Sequence, residues 1–384
     1  MVDVTARLRT AVIGTGFVGP FHVDAVRRGG LADVVVVAGS NPERTAARAR
    51  ALGVPRATTD LDAVLSDPDV DVVHVCTPND SHVELARRAL EAGKHVVVEK
   101  PLALSLRDAS DLARLGATTG RHAMVAFTYR GYPMVRRARQ LVASEELGTL
   151  RLIHGAYLQD WLAEDTDYNW RLEPGSGASR AVADIGSHWI DTAEFISRRR
   201  VSAVLADFAT FMTSRQRPTV EGAAFESVAG ERETVAITSE DAATILIRFD
   251  DGSRGAVVIS QVSPGRKNAF GIEIAGSRAS LAWDQERPES LWIGARAETR
   301  RLQRELEPTT SGVPSLPAGH PEGWAEALRD VLRPFYAAIA DGAPPAAAGA
   351  EAPYPTLADG VRAVAVVEAA VASARSERWT EPAG

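Results

Sequence analysis

Short apolar runs alternate with amphipathic stretches through the first third of the chain. Thr10 to Ile13 predicts a buried strand, and Phe17 to Arg28 predicts a helix after a glycine-rich turn. Asp33 to Ala38 holds a run of valines, which suits a second buried strand. Pro42 to Leu52 follows as a helix with proline in its first turn. Asp71 to Thr77 predicts another strand, and Ser81 to Ala92 a helix that Gly93 ends. The alternation continues with a strand over His95 to Val98, a helix over Ser105 to Leu115 and a strand over Ala123 to Phe127. Strands this apolar, alternating with helices, imply βαβ units and a parallel sheet covered on both faces.

The rhythm changes near Thr128. Pro133 to Ser144 predicts a linking helix. Longer strand candidates follow: Leu150 to Asp160, Val201 to Phe211, Ala242 to Asp250, Arg254 to Val262 and Phe270 to Ala275. Asp250-Asp251-Gly252 is a hairpin signal between two of them. The pattern predicts a second domain on a largely antiparallel or mixed sheet, closed by helices over Pro321 to Ala340 and Thr356 to Ser373. Between those helices, GAPPAAAGAEAPYP is a Pro/Ala-rich surface loop. The fold class is therefore α/β: a doubly wound parallel-sheet domain over 1–128 and a second α/β domain over 129–384.

A length of 384 residues agrees with two cores. Hydrophobic residues at 45% and charged residues at 24% fit a globular chain and exclude disorder. The net charge of -7 argues against a general nucleic-acid or anionic-membrane surface. Cys76 is the single cysteine, so no intrachain disulfide forms, which suits a reducing compartment. The opening MVDVTARLRT lacks the apolar core of a signal peptide, and no uncharged apolar run reaches membrane-spanning length. A cytoplasmic protein without membrane or nucleic-acid partners is expected.

Candidate chemistry sits at strand ends. Gly14-Thr15-Gly16-Phe17-Val18-Gly19 follows the first strand and opens a helix. In a dinucleotide site Gly14 gives the tight turn, Gly16 lets backbone approach a pyrophosphate, and Gly19 lets helix and strand pack closely. The second strand lacks the expected acid and ends in Gly39-Ser40-Asn41-Pro42-Glu43-Arg44. Ser40 and Asn41 can hydrogen-bond a ribose and Arg44 can meet a 2′-phosphate, but Ser40 or Asn41 also suits a plain helix cap. NAD against NADP stays open on these residues. Cys76-Thr77-Pro78-Asn79-Asp80-Ser81-His82 ends another strand, making Thr77, Pro78, Asn79 and His82 cofactor candidates. The plain alternative is a cap by Asp80 or Ser81, with His82 on the surface. Cys76 is expected to be a small buried hydrophobe.

Glu99-Lys100-Pro101 also ends a strand, where a lysine in a partly dry cleft can exchange a proton with a hydroxyl. The alternative is a surface lysine before a proline turn. Gly175-Ser176-Gly177-Ala178 leads into Asp184-Ile185-Gly186-Ser187-His188-Trp189-Ile190-Asp191. If helical, Asp184 and His188 share a face, with Asp191 on the same stripe, and can grip a sugar hydroxyl. A core histidine is the competing reading. Asp, His and Asp without further histidine or cysteine make a poor metal set, so no metal is expected.

In this order, GTGFVG, CTPNDSH, EKP and DIGSHWID resemble the glucose-fructose oxidoreductase / inositol dehydrogenase / rhizopine-catabolism oxidoreductase (Gfo/Idh/MocA) family. The resemblance covers nearly the whole chain. It implies a C-terminal domain with a large open sheet, often used for oligomerisation, hence a homodimer or homotetramer. It makes Lys100 the proton-transfer group, with Asp184 and His188 holding the reacting hydroxyl. The cofactor set becomes Gly14, Gly16, Phe17, Val18, Ser40, Asn41, Arg44, Thr77, Pro78, Asn79, His82, Glu99 and Lys100. Gly39 departs from the NAD-preferring pattern, so NAD is expected with NADP not excluded.

Gln159-Asp160-Trp161, Asn169-Trp170-Arg171-Leu172-Glu173-Pro174 and Ala318-Gly319-His320-Pro321-Glu322-Gly323-Trp324 look like the levoglucosan-dehydrogenase-like branch. That branch oxidises the C3 hydroxyl of anhydrosugars or glycosides with NAD. Trp161 and Trp170 then offer flat faces to a pyranose, and Gln159, Asp160 and Arg171 offer hydroxyl partners. Tyr129 completes the substrate candidates with Asp184 and His188. The competing place for the tryptophans is the core of the second domain. Competing functions are a biosynthetic ketoreductase on a nucleotide-linked or aminoglycoside sugar, and a non-catalytic cofactor-sensing regulator. Intact Lys100, Asp184 and His188 count against the regulator.

Overall fold

A computed structural model describes residues 7–173, 175–219, 230–305, 316–346 and 351–383. The first six residues of the N-terminal run, Pro174 of the NWRLEP motif and residues 347–350 of the Pro/Ala-rich loop lie outside them. Contacts divide the chain into two compact units. One comprises described residues 7–131 and 323–361, and the other 132–305, 316–322 and 362–383.

Six strands build the first unit: β1 (Leu8–Ile13), β2 (Ala32–Ala38), β3 (Arg56–Thr58), β4 (Val72–Val75), β5 (His95–Val98) and β6 (Ala123–Val125). They pair in parallel in the order β3-β2-β1-β4-β5-β6. Val72, Val73, Val75, Val96, Val97 and Val98 are fully buried, as the continuous apolar runs require. Helices α1 (Gly19–Gly29), α2 (Pro42–Leu52), α3 (Leu61–Ser66), α4 (His82–Glu91) and α5 (Leu106–Thr118) connect them. Asn41 caps α2 by accepting the Arg44 N–H at 2.9 Å, Asp60 caps α3, and Ser105 caps α5. Strand order reverses between β1 and β4, which opens a ligand crevice beyond their carboxyl ends. The hydropathy pattern does not predict β3 or α3, which are too short to show a period.

The second unit begins with α6 (Pro133–Ala143) and contains α7 (Ser187–Ser197). Its main sheet holds β7 (Leu150–Leu158), β8 (Val201–Ala209), β11 (Ala242–Phe249), β12 (Arg254–Ser260), β13 (Ala269–Gly276), β14 (Ala279–Asp284), β15 (Ser290–Ala295) and β16 (Thr299–Gln303). Strands β9 (Ser214–Pro218) and β10 (Arg232–Ala236) form a separate ribbon. The order is β16-β15-β14-β13-β7-β12-β11-β8; only β7 and β12 pair in parallel. The sheet is thus open and mostly antiparallel. The Asp250-Asp251-Gly252 turn joins β11 to β12 as the sequence predicts. Strands β14, β15 and β16 escape the pattern because each is short and not continuously apolar, with Ser280 and Asp284 in β14, Gly294 in β15, and Arg300 and Arg301 in β16.

Helix α8 (Trp324–Ala340) corrects an expectation. Instead of closing the second domain, it packs in the first unit. Leu328, Val331, Leu332 and Phe335 share a buried cluster with Val23 and Val26 of α1. Trp324 meets Phe21 edge-on at 5.2 Å, and Arg28 pairs with Glu326 at 2.8 Å. Gly131 permits this contact: a Cβ there would lie 1.9 Å from the Ala327 carbonyl oxygen. Helix α9 (Leu357–Ser376) begins in the first unit and ends in the second.

The first unit buries several neutral imidazoles. Burial holds His74, His82 and His122 below the ordinary histidine value, and burial with His122 and Arg121 holds His95 at about 4. Each favours the neutral form when folded, so its stabilisation is complete above the unfolded pKa of about 6.5. It is lost as pH falls from there towards the folded values. The melting temperature should therefore drop steadily between about pH 6.5 and pH 4.5. A flat profile over that window, by differential scanning calorimetry, would show that these rings protonate at no cost to folding.

Candidate active site

The loop after β1 is shaped by steric exclusion. Gly14 has φ +106°, and a Cβ on it would lie 2.3 Å from the Cys76 carbonyl oxygen. A Cβ on Gly19 would lie 2.1 Å from the carbonyl oxygen of Gly14. Both must be glycine. Gly16 differs, because nothing lies within 4 Å of its Cβ position. No packing contact of the fold requires a glycine there. Helix α1 starts here with no side-chain cap; Pro20 has no N–H, and the Phe21 and His22 N–H groups donate to the Val18 carbonyl at 3.0 and 3.1 Å, so the positive dipole end and the loop N–H groups ahead of it are what an anion would meet. Phe17 stands 53% exposed beside Val18 at this mouth. These features fit a dinucleotide pyrophosphate.

The loops after β4 and β5 are bracketed by one side chain. His82 is buried, with Nδ1 at 2.8 Å from the Pro101 carbonyl oxygen and Nε2 at 2.9 Å from that of Thr77. It thereby ties the Thr77-Pro78-Asn79 turn to the Lys100-Pro101 turn, whose peptide is cis. This excludes the alternative that put His82 on the surface behind a helix cap. No side-chain cap by Asp80 or Ser81 is present on α4; the Ser81 hydroxyl lies 2.7 Å from Thr77 Oγ1 and 2.8 Å from the Pro78 carbonyl oxygen. Cys76 is a buried apolar thiol. Lys100 is half-buried, and its backbone N–H donates to Glu99 Oε2 at 3.2 Å. Ser40, Asn41 and Arg44 are exposed beyond β2, while Tyr129 is buried.

In the second unit, Val182–Gly186 forms a π turn that runs into α7. Turns of this kind recur at functional sites because they turn side chains out of the regular ladder. Glu240 anchors it: its Oε1 accepts the Ser179 hydroxyl at 2.7 Å and the N–H groups of Arg180 at 2.9 Å and Val182 at 3.1 Å. Trp189 is fully buried and pins α7 to β13 by donating Nε1–H to the Gly271 carbonyl at 3.0 Å. Asp184 thus projects from a fixed base. Its carboxylate pairs with Arg171 Nε at 3.2 Å and accepts Gln261 Nε2–H at 2.9 Å. The Arg171 guanidinium lies 4.5 Å from the Trp170 ring centre. His188 is half-buried on the next turn, and Asp191 is buried.

The structure therefore gathers Asp184, Arg171 and Trp170. Gln159 and Trp161 form a pair, Trp161 donating Nε1–H to Gln159 Oε1 at 2.8 Å, and Gln159 also donates to Asn268 at 2.8 Å. Both tryptophans are half-buried; Trp161 packs against the buried cluster of Leu162, Leu172 and Ile237, which agrees with the competing core reading for that residue. Asp160 is engaged by Lys267 at 2.5 Å and the Gly265 N–H at 3.0 Å. The Lys267 hydrogen bond first, and then the Gly265 bond against the cost of burial, hold its carboxyl below the usual range. Sequence reasoning missed Gln261 and Glu240. A polar residue closing the apolar run Ala256–Ser260 was the available signal for Gln261, whereas nothing local marks Glu240.

A doubly wound parallel sheet with an open glycine loop at its switch point, followed by a unit built on an open sheet, defines a dinucleotide-dependent oxidoreductase. The chain belongs to the Gfo/Idh/MocA oxidoreductases: the family described as "Oxidoreductase family, NAD-binding Rossmann fold" matches residues 8–127, and the "GFO/IDH/MocA C-terminal domain" matches residues 135–282. It is 30% identical to levoglucosan dehydrogenase of Pseudarthrobacter phenanthrenivorans, over 97% of this chain and 98% of that one. An oxidoreductase domain protein from Kribbella flavida superposes with TM-score 0.88 at 34% identity, covering 99% of this chain and 100% of the other. Levoglucosan dehydrogenase in complex with NADH and levoglucosan superposes with TM-score 0.88 at 29% identity, covering 99% and 100%. The protein is an NAD-dependent oxidoreductase acting on CH–OH groups.

The open space at Gly16 gives a direct test of the cofactor loop. Gly16→Val has room in the protein fold, so it should leave the melting temperature nearly unchanged. It should raise the NADH dissociation constant about a hundredfold, through lost charge-assisted hydrogen bonds to phosphate. Titration calorimetry reads the affinity; unchanged binding would show that the loop does not cradle the pyrophosphate.

Proposed function

We propose that the protein oxidises a secondary hydroxyl, the C3 hydroxyl of a pyranoside or anhydrosugar, with NAD as the hydride acceptor. The observation that carries the reading is the arrangement around Asp184: a carboxylate fixed by Arg171 and Gln261, with the Trp170 ring beside it. Carboxylate, guanidinium and an aromatic face together are what a polyhydroxylated ring needs for recognition. The full-length similarity to a protein named levoglucosan dehydrogenase supports the same substrate class.

Oxidation removes a hydride from the carbinol carbon and a proton from its oxygen. In our reading Lys100, as the free amine, takes the hydroxyl proton and becomes the ammonium. Asp184 and His188 hold and polarise that hydroxyl. Gly14, Gly16, Phe17, Val18, Ser40, Asn41, Arg44, Thr77, Pro78, Asn79, His82 and Glu99 make up the cofactor-side set. Gln159, Asp160, Trp161, Trp170, Arg171 and Tyr129 make up the sugar-side set. Positioning and proton transfer are the protein's share, and the cofactor supplies the redox chemistry.

Lys100→Met should lower levoglucosan oxidation by about 10²–10⁴ while NADH binding holds. His188→Asn should lower kcat/KM by roughly two to three decades with the cofactor dissociation constant little moved. Steady-state kinetics with NADH titration separates the cases. Turnover of Lys100→Met within about threefold of wild type removes the lysine from the mechanism. Lost cofactor affinity in His188→Asn, with turnover intact at saturating cofactor, moves that residue to the dinucleotide site.

We also propose a homo-oligomer working in the cytoplasm. One face of the second unit's sheet carries Leu152, Leu246 and Val258, which are 48%, 45% and 43% exposed. Strand pairing sets Ala156 beside Val258 and Ala256 beside Leu246, with Arg254 beside Leu152 and Arg248 beside Arg254 on the same face. Exposed apolar side chains interleaved with charged ones suit a second copy of this face. Val258→Arg should dissociate the assembly in light-scattering chromatography with the fold retained; an unchanged mass places the interface elsewhere.

A further inference from the structure

Glu99 ends a line of buried hydrogen bonds that the proposed chemistry does not use. Its Oε1 lies 2.8 Å from His22 Nε2 on α1, and His22 Nδ1 lies 2.8 Å from His74 Nδ1 on β4. His74 Nε2 lies 2.7 Å from the Tyr336 hydroxyl on α8, which lies 2.8 Å from Thr10 Oγ1 on β1. Thr10, His22 and His74 are fully buried, Tyr336 is 3% exposed and Glu99 8%. Five separated stretches of sequence meet in this one line, so it is a built feature rather than a chance contact.

The direction of the line follows from the protons on the two imidazoles. A carboxylate only accepts, so His22 donates from Nε2. Burial, the larger cause, holds His74 well below the ordinary histidine value, so it carries one proton. Where His22 carries its one proton at Nε2, its Nδ1 accepts from His74 Nδ1; a proton on both nitrogens of His22 would reverse the line. His74 Nε2 must then accept from Tyr336, whose phenol burial keeps protonated. Thr10 donates to Tyr336. Every donor in the line points at Glu99, and aligned donors reinforce one another in a dry interior. Titratable groups that sense the Glu99 charge include His82 and the Cys76 thiol, and Lys100 follows it directly in the chain. The line ends at a buried threonine, so it opens no proton exit to water.

We propose that Thr10, Tyr336, His74 and His22 are positioning residues: one line of donors that fixes the Glu99 carboxylate and so holds the Lys100 turn in register with the cofactor helix α1. Glu99 reaches both sides, accepting His22 through Oε1 and the Lys100 N–H through Oε2. Its consequence for turnover rests on Lys100 as the proton acceptor, whereas the direction of the line does not.

The test uses the full-length protein with NADH, in wild type, Tyr336→Phe and the milder Thr10→Val. ¹⁵N resonances of the imidazoles should show His74 protonated at Nδ1 and His22 at Nε2 in wild type. In Tyr336→Phe the His74 tautomer preference should be lost, and the Glu99 carboxyl ¹³C titration should move to higher pH. With levoglucosan as substrate, kcat should fall about tenfold and the acid limb of its pH profile should shift, while KM and the NADH dissociation constant stay within about twofold. Thr10→Val should move the profile in the same direction by less. His74 protonated at Nε2 in wild type overturns the proposal. So does an unmoved Glu99 titration in both variants, or an unshifted pH profile in both. If wild type does not oxidise levoglucosan, the proposed substrate has failed, and the imidazole and carboxyl spectra decide the relay alone.

Discussion

The first unit depends on how closely the backbone after β1 approaches the backbone after β4. With the Cys76 carbonyl oxygen 2.3 Å from any Cβ at residue 14, the chain crosses itself at a distance only glycine survives. Gly14 in turn closes on Gly19, so α1 starts against the same turn. This crossing locates the open Gly16 segment directly over the switch point of the sheet. His82 extends the constraint to a third loop by bonding the carbonyls of Thr77 and Pro101. The glycine loop, the Thr77-Pro78-Asn79 turn and the Lys100 turn are therefore one backbone assembly. Preorganisation of this kind is what a proton-transfer lysine and a bound dinucleotide both require.

The second unit solves its positioning problem with buried charge. Asp241 is fully buried and accepts from Arg180, from Arg215 at 3.2 Å, and from the N–H groups of Phe211 at 2.7 Å and Met212 at 2.8 Å. Glu240 beside it anchors the start of the π turn. Two arginines and two carboxylates balance in charge, which limits the desolvation penalty that any one of them alone would impose. Such a cluster adds little net stability. It fixes geometry, and the geometry it fixes is the turn that carries Asp184.

What was legible in the sequence was short-range. Gly14 and Gly19 could be marked as steric necessities from one motif, because glycine spacing alone signals a tight turn and a close helix start. The alternating apolar runs revealed the parallel sheet of the first unit, and Asp250-Asp251-Gly252 a hairpin of the second unit's sheet. Partner choice was not legible. The apolar stripe of α8 shows that a face is buried, yet not that it packs on α1, more than 290 positions earlier in the chain. His82 reads locally as a surface residue beyond a cap, and only the fold brings Pro101 to its ring. Glu240, Gln261, His22, His74 and Tyr336 carry no motif. Their importance lies in bonds that span 52 to 326 positions.

Gly39 shows how a local departure can have a packing cause. An acid at the end of β2 would ordinarily hold the adenosine ribose, so its absence suggests a changed cofactor. In the structure a Cβ at residue 39 would lie 2.5 Å from Thr45 Oγ1 and 3.1 Å from Thr15 Oγ1. The Thr45 hydroxyl cannot swing aside freely, since it donates to the Asn41 carbonyl at 2.6 Å at the start of α2. No side chain fits at residue 39 while this end of α2 stands where it does, whatever the cofactor. The missing acid therefore follows from the packing of Thr15 and Thr45. Asn41 Oδ1 is occupied by the α2 cap, so at this strand end the polar side-chain groups outside that cap are the Asn41 amide nitrogen and the exposed Ser40 hydroxyl, neither of them a carboxylate.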